Sequence, residues 1–167
     1  MPSFEEAYGQ SAATASSATT TTTTTSASTL PQAAIDLAST LFTHARSGSS
    51  QTLSSYLAAG IPPNLTNSTG DTLLMLASYH GHAETAKMLL AAGADPNVLN
   101  ARGQSPVAGA VFKGYEDVVA VLVAGGADVQ AGQPSAVDCA RMFKRQECLK
   151  MFGVEEGTRE GESNGVS

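Results

Sequence analysis

Three groups of side chains in this chain have types and spacings that could do chemistry. His80 and His82 stand two apart around Gly81, Cys139 and Cys148 stand nine apart, and Arg141, Lys144, Arg145 and Lys150 form a basic cluster. A zinc ion held by the two imidazoles would need two more donors at close range. The pair reads instead as a turn histidine beside a surface one. The thiols read as buried small hydrophobes in a reducing compartment, not as a disulfide or redox couple. Phosphate binding needs a basic face that releases counterions, and the basic cluster reads as the solvated side of a last helix pair. Gly125-Gly126 precedes an extended segment rather than a helix start, so it is no phosphate cradle. No Gly-x-Ser-x-Gly elbow occurs either. These residues predict no enzyme, no cofactor, no metal site and no nucleic-acid partner.

The elements that would have to position such groups occupy only part of the chain. Its net charge of −6 over 167 residues is unevenly placed. Glu5 and Glu6 stand without a base in residues 1–32, and Glu155, Glu156, Glu160 and Glu162 oppose only Arg159 near the end. The stretch between is nearly neutral. Residues 1–30, rich in Ser, Thr and Ala with an unbroken run from Thr19 to Thr25, lack the spaced apolar side chains that offset ordering entropy. Residues 155–167 lack them too. Both are expected to be disordered tails around one folded domain, residues 31–154. No apolar run approaches the ~18 residues of a membrane span, and no secretory core follows the start. No Lys or Arg precedes Arg46, which argues against a mitochondrial presequence. A cytoplasmic protein is expected, small enough to enter the nucleus. The glycosylation triplets at Asn64 and Asn67 are then silent.

Within 31–154 the chain lands on itself when shifted by 33 residues: Asn67 on Asn100, Gly70 on Gly103, Ala77 on Ala110, Gly81 on Gly114, Leu89 on Leu122. Gly93-Ala94-Asp95 likewise falls on Gly126-Ala127-Asp128. A fixed period of this length marks a solenoid, whose units bury their apolar faces only against neighbours. One unit runs from Asn67 to Leu99. A polar turn ends at Gly70-Asp71, and Thr72 stands where a helix N-cap belongs. A short apolar helix from Leu73 stops at His80-Gly81. A second, from about Ala83 to Ala92, carries Ala86, Leu89 and Leu90 on one stripe and ends at Gly93.

This unit resembles the ankyrin-repeat family. The family pattern Gly-x-Thr-Pro-Leu-His-x-Ala, Gly-His, Leu-Leu, Gly-Ala-Asp is met by Gly70-Asp71-Thr72-Leu73-Leu74-Met75-Leu76-Ala77, Gly81-His82, Leu89-Leu90 and Gly93-Ala94-Asp95. The next unit follows with Gly103-Gln104-Ser105-Pro106-Val107-Ala108-Gly109-Ala110, Gly114-Tyr115, Leu122-Val123 and Gly126-Ala127-Asp128. Partial units flank these two. The resemblance implies an α-solenoid of about four helix-turn-helix repeats with β-hairpin-like fingers, near 31–66, 67–99, 100–132 and 133–154. Met75 and Ala108 replace the family's signature His, so its inter-repeat hydrogen bonding is expected to be missing. Gly109 interrupts a helix interior, which costs about 1 kcal/mol relative to Ala. The last finger is trimmed by three residues, since Ala110 to Ala140 is 30 rather than 33.

The resemblance also implies binding of a partner protein along the concave face made by finger tips and first helices. By position this selects Ser68, Thr69, Asp71, Arg102 and Gln104 on the fingers. At the helix ends it selects Arg46, Tyr79, His80, Phe112, Lys113, Met142 and Phe143. Arg46, Tyr79, Phe112 and Met142 are equivalent positions and should stack into one column of interface-type side chains. A partnerless ridge is the other reading of that column. The expected function is non-catalytic binding of an unidentified partner protein by a chain that is monomeric alone. Two alternatives follow from the tails: an escort for a basic client, screened by acidic segments, or regulation through modification of the Ser/Thr-rich tail.

Overall fold

The computed structural model describes residues 31–154, so the two tails expected from composition lie outside the described residues. Eight helices follow in chain order: α1 (Gln32–Ser47), α2 (Ser50–Ala58), α3 (Leu73–Tyr79), α4 (Ala83–Ala91), α5 (Pro106–Lys113), α6 (Glu116–Ala124), α7 (Ala136–Met142) and α8 (Gln146–Met151). They form four antiparallel pairs. The first helices of the pairs stack as one layer, α1 on α3 on α5 on α7, and the second helices as another, α2 on α4 on α6 on α8. The period explains both layers. Leu41, Leu74, Val107 and Val137 form a buried inner column, and Leu53, Ala86, Val119 and Leu149 a buried outer one.

A polar column starts the inner helices. Thr72 Oγ1 accepts from Met75 N at 3.1 Å, Ser105 Oγ from Ala108 N at 3.2 Å, and Ser135 Oγ from Asp138 N at 3.1 Å. Each satisfies a backbone donor that the first turn leaves free. Ser39 holds the equivalent place in the first unit but lies inside α1, donating to Ile35 O at 2.9 Å. Helix α1 therefore has 16 residues where α3, α5 and α7 have seven or eight.

The fingers are tighter than strands: the hairpin-like element reduces to hydrogen-bonded turns and one antiparallel bridge between Thr66 and Thr72. Asn67 N donates to Asp71 O at 3.1 Å, and Asn100 N to Gln104 O at 3.0 Å. Inside each turn an Asn side chain replaces backbone partners. Asn67 Oδ1 accepts from Thr69 N and Asp71 N, and Asn100 Oδ1 from Arg102 N and Gln104 N.

Hydrogen bonds between units persist without the signature histidine. Asn64 Oδ1 accepts from Asp95 N at 2.8 Å, and Asn97 Oδ1 from Asp128 N at 2.7 Å. Backbone links also join successive fingers, Ala101 N to Thr69 O and Gln133 N to Gly103 O. At the opposite edge, Gly48, Gly81 and Gly114 take left-handed φ of 73°, 81° and 80°. A Cβ at these glycines would stand 2.5 Å from His82, 3.0 Å from Tyr115 and 2.6 Å from Arg145 of the following unit. These glycines both turn the chain and admit the neighbour.

Candidate functional site: the concave groove

The groove lies between the fingers and the exposed ends of the inner helices. Its centre is a cavity of about 420 Å³. Met75, Leu76, Ala108, Gly109 and Cys139 supply its apolar lining, from α3, α5 and α7. Tyr79, His80 and Phe112 come from the helix ends, and Asp71, Arg102 and Gln104 from the fingers. Six of the positions chosen from sequence thus meet in one cavity: Asp71, Tyr79, His80, Arg102, Gln104 and Phe112.

Four more surround or extend it. Lys113 Nζ sits 4.6 Å from the Tyr79 ring centroid, a cation–π distance. Phe143 meets Phe112 edge to face, centroids 5.1 Å apart at 85°. Arg46 and Met142 are exposed on the same edge. Tyr79, Phe112, Met142 and Phe143 are 40%, 46%, 64% and 43% exposed, so this edge presents a run of large apolar side chains to solvent. The ring contacts found here run across the two helix-end columns, Tyr79 to His80 and Phe112 to Phe143.

The finger positions divide differently. Thr69 Oγ1 donates to Asp71 Oδ2 at 2.6 Å, and Asn100 Nδ2 donates to Asp71 Oδ1 at 2.8 Å. Asn67 Nδ2 reaches Asp71 Oδ2 at 3.2 Å. Burial pushes the Asp71 carboxyl up, but these donors and Arg102 outweigh it and hold it below its ordinary 3.8. Asp71 and Thr69 thus hold the finger together. Ser68 is exposed and outside the cavity lining, whereas Gln104 Oε1 accepts from Asn100 Nδ2 at 3.1 Å.

At the other wall, partial burial and then the positive groups His82, Arg46 and Lys113 lower the His80 pKa from 6.5. His80 is therefore mostly neutral at pH 7. His82 is committed to packing, its Nε2–H donating to Arg46 O at 2.7 Å. Among the described residues no group of three or more His, Cys, Asp or Glu could hold a metal ion. No helix among them is long and apolar enough to cross a membrane. Cys139 and Cys148 are both free and buried. Burial first, then nearby carboxylates (Asp138 for Cys139, Glu116 for Cys148), push both thiols up.

Sequence reasoning missed two things here. The cross-unit bonds of Asn64 and Asn97 follow the same 33-residue offset that located the other repeats, so the signal was present. The groove's apolar lining was also missed. Leu76, Gly109 and Cys139 are equivalent positions with three different side chains, and a search for identities passes over them.

The family model described as ankyrin repeats (3 copies) matches residues 41–133, more than half of the chain. A curated protein from Pseudomonas aeruginosa, described as an ankyrin repeat protein, is 51% identical over 57 residues. That stretch covers 31% of this chain and 33% of the relative, so the match spans about a third of each.

Proposed function

The chain belongs to the ankyrin-repeat family, whose repeats generally act as protein–protein interaction modules, and from that premise we propose that its concave groove binds a partner protein without catalysis. The exposed edge formed by Tyr79, Phe112, Met142 and Phe143 beside the cavity carries this reading. Large apolar patches on a soluble surface are costly unless covered, and Tyr and Arg are the commonest anchors of binding energy. Arg46, His80 and Lys113 flank the patch with polar and charged groups, as a binding rim requires.

Of the two alternatives, an escort for a basic client is the weaker. Arg102 lines the groove and Lys113 stands at its wall, against the single ionised carboxylate of Asp71. A groove with a surplus of cations disfavours a basic client. The tail reading concerns residues outside the described ones. The buried free thiols support a reducing compartment such as the cytoplasm. At the position where Gly48, Gly81 and Gly114 admit the next unit, the last described pair carries Lys144 at φ 54°, which we take to favour a monomer.

The test is a double substitution, Tyr79→Ala with Phe112→Ala, in the full chain. Partners captured by the native chain from a cell extract should bind the variant about 30-fold or more weakly. The urea midpoint should move little, since surface changes shift stability by about half a kcal/mol. A strongly destabilised variant with affinity intact would make the column an inter-repeat ridge and end the groove reading.

A further inference from the structure

Gly109 has no structural reason to be glycine. Every other glycine among the described residues takes a positive φ or, at Gly125, would place a Cβ 2.6 Å from Leu90 Cδ1. Gly109 lies inside α5 with ordinary helical φ, and a Cβ there would meet only Tyr79 Cδ2, at 3.4 Å. Glycine weakens a helix, and here the packing would accept alanine. The omitted side chain leaves a notch. Gly109 lines the cavity beside Leu76, Ala108 and Cys139, with Tyr79 and Phe112 also in the lining.

The charges around the notch carry a cationic surplus. Arg102 is an exposed residue of the cavity lining, and Lys113 is exposed over the Tyr79 ring. The one acid in the lining, Asp71, accepts hydrogen bonds from Thr69, Asn67 and Asn100. A chain of net charge −6 thus sets two cations, Arg102 and Lys113, against one ionised acid around this apolar recess.

We propose that the notch over Gly109 receives a bulky apolar side chain of an extended peptide segment whose flanking residues are acidic and face Arg102 and Lys113. This rests on the concave-face reading and names the chemistry of its partner. An apolar anchor in a recess with charged neighbours at the rim is the arrangement that concentrates binding energy in few residues. The opposite charges set orientation and speed association.

The probe is a phage-displayed library of random dodecapeptides, panned at low salt against the immobilised full chain. Enriched peptides should carry Asp or Glu on both sides of a Leu, Met or Phe. The best of them, synthesised and labelled, should bind Gly109→Leu about tenfold or more weakly than the native chain. Lys113→Glu and Arg102→Glu should each weaken it several-fold, and added salt should weaken it further. Gly109→Ala should bind a few-fold more weakly while melting at a higher temperature. That pairing separates a filled notch from a damaged fold, even if the leucine variant does not fold. Absence of enrichment, enriched peptides lacking acidic bias, or affinity indifferent to both Gly109 variants would each overturn the proposal. Peptides that depend on Tyr79 and Phe112 but not on Gly109 would remove the notch and leave concave binding standing. Peptides indifferent to all three would remove both.

Discussion

Replacing Gly48 by Ala tests the interlock between units directly. Two separate costs are expected. At φ 73° a Cβ crowds the backbone, which costs about 1–2 kcal/mol. The new methyl would also lie 2.5 Å from His82 Nδ1 and 2.7 Å from its Cγ, so the ring must move. Moving it breaks the 2.7 Å bond from His82 Nε2–H to Arg46 O, worth about 0.5–1.5 kcal/mol net. The full loss should be about 1.5–3.5 kcal/mol, read as a shift of the urea midpoint at constant slope. Gly93→Ala is the control, because Gly93 has φ 91° and nothing within 4 Å of a Cβ. It should lose the conformational part alone. In a His82→Ala background, Gly48→Ala should also fall to about 1–2 kcal/mol, since the ring is no longer there to displace. Equal losses from Gly48→Ala in both backgrounds would show that the imidazole does not press on this glycine, and the interlock argument would fail.

Other outcomes follow from the same geometry. Lys144 is the one non-glycine with positive φ among the described residues; Lys144→Gly should stabilise the array by about 1 kcal/mol in urea unfolding, and a loss would mean the lysine stem makes a contact of greater worth. Cys139 and Cys148 should react slowly with a thiol reagent in the native state and promptly in denaturant, because burial raises both pKa values and the thiolate is the reactive form; fast native labelling of either would refute that. The Asp71 pKa is lowered on folding, so its contribution is present above the ordinary 3.8 and lost as pH falls through the folded value. The stability gap between native chain and Asp71→Ala should therefore close below pH 3.8, and a gap independent of pH would show that the carboxylate charge is not what the finger uses.

Much of the fold was legible because solenoid packing repeats its demands. A column needing an apolar side chain in each layer writes one every 33 residues, as Leu41, Leu74 and Val107 do. The capping hydroxyls Thr72 and Ser105 obey the same rule. The extra turns of α1 were not legible by this means, since the described residues hold no earlier unit to compare with Gln32–Ser39. The fingers were read as hairpins because the resemblance suggests them, whereas Asn67 and Asn100 close the turns so tightly that strands have no room to extend. The lost signature histidine suggested missing cross-unit bonds. Asn64 and Asn97 supply them from positions outside the motif.

The binding groove obeys the opposite logic. A contact between units must be made at every step, so it favours the same residue at equivalent positions; Gly48, Gly81 and Gly114 are the case in point. A contact with a partner is made once, at one place along the array. Its residues are therefore expected where equivalent positions disagree: Arg46, Tyr79, Phe112 and Met142 on the edge, and Leu76, Gly109 and Cys139 in the cavity lining. Disagreement alone is ambiguous. Lys144 also breaks its column, in the last helix pair among the described residues, where no described unit packs against it. Structure separates the cases by showing what each odd residue touches. Gly109 stands beside a 420 Å³ recess, and Lys144 stands between the last two described helices. For this chain, the period identifies what holds the units together, and the departures that face the groove identify where a partner should be sought.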